Sequence, residues 1–250
     1  VLALSLSSND YVGHAKGPDD PQVRDISIRT DRLLGELFRF VEAKVGMRNV
    51  LVVFTADHGV APVPEVNQAR KMPGGRIVEK SLLEVTEKAL TAKYGAGKWV
   101  EGGTGATQWL NYKLIEEKKL SIVEVSETAA QALRQAPHII RAYTGDQLRR
   151  GALTGDMFDQ RVRNGYNSRS GGDVIVVGDP YYIYDSKGTS HGMPYQYDAH
   201  VPVIFMGEAI KGGRYQKRIM VNDIAPTLST LLEVETPSGS VGRALDEILK

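Results

Sequence analysis

Three of the five histidines stand in short polar motifs, and two of these motifs also contain an aspartate. The candidate metal ligands are Asp10, His14, Asp57, His58 and His191. Imidazole nitrogens and carboxylate oxygens can hold a catalytic zinc ion, whereas the cysteine thiolates typical of structural zinc sites are absent from the chain. The residue types therefore indicate an open, catalytic metal site rather than a structural one.

The number of ligands indicates how many metal ions are involved. A catalytic zinc ion takes about three protein ligands and a water molecule, so five ligands are too many for one ion and too few for two. Two ions about 3.5–4 Å apart can clamp a transferring phosphoryl group between them. The count favours a two-metal site that takes some of its ligands from outside this chain.

Each motif also has an ordinary interpretation. Asp10 and His14 could form a surface pair, Asp57 could cap a loop, and His191 alone would be unremarkable. Thr189 and other hydroxyls near the candidate ligands are expected to hydrogen-bond within loops rather than to act as nucleophiles. The metal interpretation depends on the three motifs occurring together, each with a glycine that lets the backbone approach a ligand.

The elements predicted around these motifs form an α/β core. Apolar, β-branched runs predict four strands: Val1 to Leu6, Val50 to Thr55, Val174 to Val177 and Val201 to Met206. Because these runs lack polar alternation, we expect strands covered on both faces, as in a parallel sheet. Helical spacing predicts helices from Pro21 to Val45 and from Asp223 to Leu232, the second with Asp223 as N-cap. Strands that alternate with helices predict a doubly wound sheet, which binds ligands at the carboxyl ends of its strands.

A different pattern occupies the middle of the chain. Residues 79–165 are predicted to form a small inserted α+β lobe, and residues 1–70 and 170–250 to form the metal-binding core. The predicted elements of the lobe are helices from Lys80 to Tyr94 and Val123 to Gln135, and strands from Thr107 to Leu114 and His138 to Tyr143. Proline and glycine clusters mark both borders of the lobe.

Composition excludes several classes of protein. The 31 basic and 30 acidic side chains give a formal net charge of +1, which argues against a nucleic acid polymer as partner. No segment approaches the roughly 20 apolar residues that cross a bilayer, and no signal peptide is visible. Because cysteine is absent, disulfides and thiolate nucleophiles are excluded.

The motifs as a set resemble those of the alkaline phosphatase superfamily, and within it the type I phosphodiesterase/nucleotide pyrophosphatase family. The likeness is strongest to bacterial phosphate-irrepressible alkaline phosphatases. It rests on Asp10 to His14, Thr55 to Gly59, Ser190 to Gly192, Tyr197-Asp198 with Val201-Pro202, and Asp223 to Leu228. It covers about 1–70 and 170–250, and it implies an alkaline phosphatase-like fold.

The resemblance also implies roles for the candidate ligands. Asp10, His14 and His191 would hold a first zinc ion, and Asp57 and His58 a second, giving two zinc ions in the intact enzyme. The nucleophilic threonine or serine of the family lies upstream of the first motif, so we expect no catalytic residue within this chain. The chain opens on an apolar run, and we interpret Val1 as a cut point in a longer protein.

The function implied is hydrolysis of phosphate monoesters through a covalent phospho-enzyme, with this chain as a C-terminal part that is inactive alone. Nucleotide pyrophosphatase or phosphodiesterase activity is the alternative within the family. A non-catalytic metal-binding or interaction module is the alternative from another class, since a missing segment would expose a sheet edge through which the chain could associate. The family implies a periplasmic or secreted location.

Overall fold

A computed structural model describes residues 1–250, and backbone contacts divide the chain into two compact units. The first unit comprises Val1–Arg24 and Val60–Ala199, and the second comprises Asp25–Gly59 and His200–Lys250. The division into a core of residues 1–70 and 170–250 and an inserted lobe of residues 79–165 stays a prediction.

Helices and strands are interspersed along the chain. The ten helices are α1 (Ser8–Lys16), α2 (Pro21–Lys44), α3 (Pro64–Ala69), α4 (Glu79–Tyr94), α5 (Tyr112–Glu117), α6 (Ile122–Leu133), α7 (Gly145–Arg150), α8 (Met157–Gly165), α9 (Gln196–Ala199) and α10 (Ile224–Leu231). The eight strands are β1 (Val52–Thr55), β2 (Gly75–Arg76), β3 (Val100–Thr104), β4 (Thr107–Leu110), β5 (Ile139–Thr144), β6 (Val174–Gly178), β7 (Tyr182–Ile183) and β8 (Val203–Met206). The mixture of helices and sheets confirms the α/β class. No helix combines the length and the hydropathy needed to span a bilayer.

The first unit is built on a four-stranded antiparallel sheet in the order β3-β4-β6-β5. A tight turn at Gly105, whose φ is 53°, joins β3 to β4. Helices α4 and α6 pack on this sheet, and their apolar residues form one core with the strands. Leu90, Trp99 and Leu133 lie fully buried in that core. The apolar spacing that predicted the two helices is therefore what attaches them to the sheet.

The second unit contains a two-stranded sheet and the C-terminal segments. Strands β1 and β8 run antiparallel, with Val52 opposite Met206 and Thr55 opposite Val203. Helix α10 follows Asp223, whose carboxylate accepts hydrogen bonds from the backbone of Met220 and Arg243, both at 2.9 Å. Asp223 thus links the start of α10 to the C-terminal segment. Its side chain does not cap the helix, so the predicted N-cap role of Asp223 is wrong.

The predicted helices are confirmed with small shifts in their ends. Helix α2 lies within the predicted range, and α4 and α6 each begin one residue early. Helix α6 ends two residues before the predicted end, and α10 is one residue shorter at each end. These segments are long and their apolar residues recur at helical spacing, which is the strongest local signal a sequence contains.

Three predictions about strands are wrong. Val1 to Leu6 forms no strand and is exposed, because no other strand lies beside it to accept its backbone hydrogen bonds. The longer apolar strands pair antiparallel, and only the two-residue strands β2 and β7 pair parallel. The strand predicted from Thr107 to Leu114 stops at Leu110, since the side chain of Asn111 accepts from the backbone of Leu114 and starts α5.

Replacing one buried and one exposed leucine tests this correction. We expect Leu133→Ala, in the core of the first unit, to lower the free energy of unfolding by about 2–5 kcal/mol because it leaves a cavity. Leu4→Ala removes a residue that is 56% exposed and should change that free energy by less than about 0.5 kcal/mol. Urea unfolding measures both. A loss at Leu4 as large as that at Leu133 would show that the opening segment is a buried strand after all.

Candidate metal centre

Helix α1 places two of the predicted ligands on one face. Asp10 and His14 are four residues apart, a spacing that brings side chains together on a helix, and Asp10 Oδ2 lies 3.5 Å from His14 Nε2. The helix ends at Gly17, whose φ of 89° suits glycine and whose backbone N–H donates to Gly13 O at 2.7 Å. The first motif therefore lies on a helix, and the segment before it, Val1 to Leu6, is not the strand that was predicted there.

The loop that carries His191 is joined directly to His14. The backbone N–H of Thr189 donates to His14 O at 2.9 Å, and His14 Nδ1 lies 2.8 Å from Thr189 O. The buried Thr189 hydroxyl donates to Ala61 O at 2.6 Å, which confirms its expected role in the loop. Gly188 has a φ of 60°, and a side chain there would collide with the His14 carbonyl oxygen. Helix α1 and the loop that carries His191 are far apart in sequence, and these contacts hold them together.

Three predicted ligands converge as a result. One donor atom from each of Asp10, His14 and His191 lies within 4.8 Å of the others. His14 Nε2 is 3.2 Å from His191 Nε2, and Asp10 Oδ1 is 3.8 Å from His191 Nε2. The side chains are 42%, 36% and 29% exposed in chain order, so the cluster is open to small molecules. Two imidazole nitrogens and one carboxylate form a donor set found in open catalytic zinc sites.

The hydrogen bonds of His14 test whether the cluster fits a cation. A carbonyl oxygen only accepts, so the contact with Thr189 O requires a proton on His14 Nδ1 and leaves the Nε2 lone pair directed at Asp10 and His191. A backbone carbonyl behind the metal-facing imidazole is the usual arrangement in metal sites. Without a cation, His191 Nε2–H can donate to His14 Nε2 across the same 3.2 Å. The cluster fits a divalent cation in both respects.

Asp57 and His58 lie in the second unit, just after β1, and are not members of this cluster. His58 Nδ1 lies 2.8 Å from Gly59 O, so this ring also carries its proton on Nδ1. His58 Nε2 is 3.6 Å from Asp57 Oδ2, and the two side chains are 25% and 89% exposed. Like His14 and Asp10, this pair combines an imidazole protonated on Nδ1 with a carboxylate near Nε2. Its role as part of a second metal site stays a prediction.

A sequence model of the type I phosphodiesterase / nucleotide pyrophosphatase family matches residues 1–200, which include every candidate ligand. The chain belongs to this family. Among its relatives are the alkaline phosphatases PafA of Elizabethkingia meningoseptica, 35% identical over 250 residues, and PhoV of Synechococcus elongatus, 34% identical over 253 residues. These matches cover 99% and 100% of this chain but 45% of each relative. The chain therefore spans about half the length of the curated relatives it matches.

A solved structure supports the same assignment. The crystal structure of wild-type PafA matches with a TM-score of 0.89 at 33% identity, over 98% of this chain and 47% of that chain. This agreement confirms the expectation of an alkaline phosphatase-like α/β fold. It also means that the antiparallel pairs described above belong to such a fold.

Two further residues of this chain form hydrogen bonds to the loop that carries His191, and the sequence motifs did not reveal these roles. Asp198 is buried, and its Oδ2 accepts from the backbone N–H of Met193, two residues beyond His191, at 2.8 Å. Its presence in the Tyr-Asp signature was the only signal in the sequence. The Arg76 guanidinium donates to Asp185 O and Gly188 O in the same loop, and no motif indicated it.

The aromatic residues near this loop are structural. Tyr195 donates its hydroxyl proton to Gly178 O and stacks on Tyr197, which in turn stacks on Tyr181. Burial raises the pKa of Tyr195 to about 12. Its phenol is therefore neutral near pH 7 and is engaged in packing rather than in proton transfer.

Zinc binding to single-residue variants tests the cluster. We expect His191→Ala to weaken zinc binding by more than the roughly 10–100-fold that loss of an outer partner causes, because it removes one of three donors. Competition with a chromogenic chelator measures the affinity. His138→Ala is the matched control, since His138 pairs with Asp179 outside the cluster. Equal losses in the two variants would contradict the assignment of His191 as a ligand.

Proposed function

We propose that this chain is part of a zinc-dependent hydrolase of phosphate esters, and that phosphate monoesters are its main substrates. The observation that carries the proposal is the convergence of Asp10, His14 and His191 in a chain that belongs to the type I phosphodiesterase family. The relatives of highest identity reported above are named alkaline phosphatases, which favours monoesters.

Each residue of the centre has a task in this proposal. Asp10, His14 and His191 hold one zinc ion, and Asp57 and His58 contribute to a second. When bound, the ions supply a Lewis acid for phosphoryl oxygens and lower the pKa of water. Thr189 O keeps the proton of His14 on Nδ1, so that Nε2 faces the cation. The Asp10 carboxylate offsets part of the positive charge brought into the cluster.

The nucleophile is proposed to come from a segment outside residues 1–250. The covalent phospho-enzyme of the family needs a threonine or serine whose hydroxyl can reach the phosphorus atom. The Thr189 hydroxyl is buried and donates to Ala61 O, and the Thr55 hydroxyl donates to Ala56 O at 3.3 Å. These engagements favour structural roles for both hydroxyls. The chain alone would then bind zinc without turning over substrate.

One surface of the second unit favours association with that further segment. Phe54, Ile204 and Met206 are exposed, and Phe54 lies opposite Ile204 in the β1–β8 pair. Side chains two residues apart on a strand share a face, so these three form one apolar sheet face. We propose that the rest of a longer polypeptide, corresponding to the 55% of PafA that this chain does not cover, packs there. A stand-alone binding module is the alternative that the same exposed face allows.

Diester hydrolysis is the second candidate activity. The family description names phosphodiesterases and nucleotide pyrophosphatases, and the ligand cluster would serve either ester class.

The location of the protein, periplasmic or secreted, is also a proposal that rests on the resemblance alone.

A chimera tests the proposed activity. We would replace the part of PafA that matches this chain with residues 1–250 and measure hydrolysis of 4-nitrophenyl phosphate and of bis(4-nitrophenyl) phosphate with added zinc. We expect monoester hydrolysis that exceeds diester hydrolysis and that His191→Ala lowers by on the order of 100-fold or more. His138→Ala in the same chimera should keep its activity.

Residues 1–250 alone complete the test. We expect no turnover from them under the same conditions. Robust turnover that His191→Ala abolishes would place the nucleophile within this chain. A folded chimera that binds zinc but cleaves neither ester would contradict the proposed hydrolase.

A further inference from the structure

Arg76 makes an unusually complete set of contacts beside the His191 loop. It lies in β2, whose partner β7 leads directly into that loop. Its guanidinium donates to both carboxylate oxygens of Glu65 at 2.7 Å, to Asp185 O at 2.6 Å and to Gly188 O at 3.0 Å. Its side chain is 20% exposed. One side chain thus links the start of α3 to two carbonyls of the loop.

The hydrogen bonds from Arg76 to two loop carbonyls hold the two ends of a short loop segment together. Asp185 and Gly188 are three residues apart, and the same guanidinium binds both, which fixes the chain between them. The planar fork of arginine can serve two carbonyls and a carboxylate at once, whereas the single ammonium of lysine cannot match that geometry. The Glu65 carboxylate holds the fork in place, and its hydrogen bond with Arg76 lowers the pKa of Glu65. The Glu65 carboxyl is therefore ionised at neutral pH.

From Gly188 to Ser190 each residue of the loop is hydrogen-bonded through its backbone to a partner in the first unit. Gly188 O is bound by Arg76, and Thr189 bonds to His14 through both its N–H and its carbonyl. Ser190 O accepts from the backbone N–H of Ala61 at 3.3 Å. The next residue is the ligand His191. The residue that Arg76 binds, Gly188, is thus three residues from His191, and the two residues between them are hydrogen-bonded as well.

We propose that Arg76 is a positioning residue for the metal centre. Its guanidinium, oriented by Glu65, fixes the conformation of the loop that brings His191 to Asp10 and His14. The inference rests on the proposed metal site and adds a residue that touches neither the cation nor the substrate. It also explains why a partly exposed ion pair is combined with two backbone contacts, since the pair alone would add little stability at such a surface.

The test compares zinc affinity with stability in matched variants of residues 1–250. Arg134 is the control, because its guanidinium also binds a glutamate, Glu127, and a backbone carbonyl, that of Ala142, away from the His191 loop. We expect Arg76→Ala to weaken zinc binding roughly 10–100-fold, the range for loss of a partner that orients a ligand. Arg134→Ala should reduce stability to urea comparably but leave the zinc affinity within about twofold.

A double variant separates positioning from a general loss of structure. If Arg76 acts through His191, adding Arg76→Ala to His191→Ala should cause no further loss of zinc affinity.

Arg76→Lys keeps the charge but not the planar guanidinium, and we expect it to bind zinc nearly as weakly as Arg76→Ala. Glu65→Gln keeps a hydrogen-bonding partner for the guanidinium and should lose tenfold or less. These two variants keep the test decisive if Arg76→Ala does not fold.

The possible outcomes are distinct. Wild-type affinity in Arg76→Ala or in Arg76→Lys would overturn the positioning role while leaving the metal centre intact. Equal effects of Arg76→Ala in the presence and absence of His191 would overturn it as well. If the wild-type chain binds no zinc, the proposed metal centre fails, and the role of Arg76 fails with it.

Discussion

The reciprocal pair of hydrogen bonds between His14 and Thr189 is the contact on which the candidate centre depends. It joins helix α1 to a loop 175 residues away and does two things at once. It brings His191 to the face of α1 that carries Asp10, and it places the proton of His14 on Nδ1, away from the cluster. This pair of hydrogen bonds therefore sets both the position of the loop and the tautomer of His14.

The chemistry of the cluster follows from its charges and its exposure. Asp10 supplies one negative charge, and two neutral imidazoles can supply nitrogen lone pairs, so a divalent cation finds donors without a neighbouring positive charge among them. The cluster is only partly buried, so its donor atoms are open to small molecules. Arg76 is neutralised by Glu65, so it can hold the loop without opposing the cation.

The second unit has a different character. It contains the Asp57–His58 pair after β1 and an apolar sheet face that includes Phe54 and Ile204. Exposed apolar surface of this kind commonly marks a place where another segment packs. The curated relatives are about twice as long as this chain, and our proposal is that a further segment of a longer polypeptide packs at that face. The same segment is proposed to carry the nucleophile.

Local patterns in the sequence were sufficient to predict helices such as α4 and α6 and the family, and to propose the candidate ligands, because residue type and spacing lie within short stretches of chain. They were not sufficient for strand pairing: Val1 to Leu6 is as apolar as a buried strand, but a strand also needs a neighbour, which lies elsewhere in the chain. The convergence of His191 with α1, and the role of Arg76, likewise depend on hydrogen bonds between segments more than 100 residues apart. The sequence alone therefore determined which side chains could do the chemistry, and only the tertiary structure decided which of them meet, because long-range backbone contacts leave no local pattern.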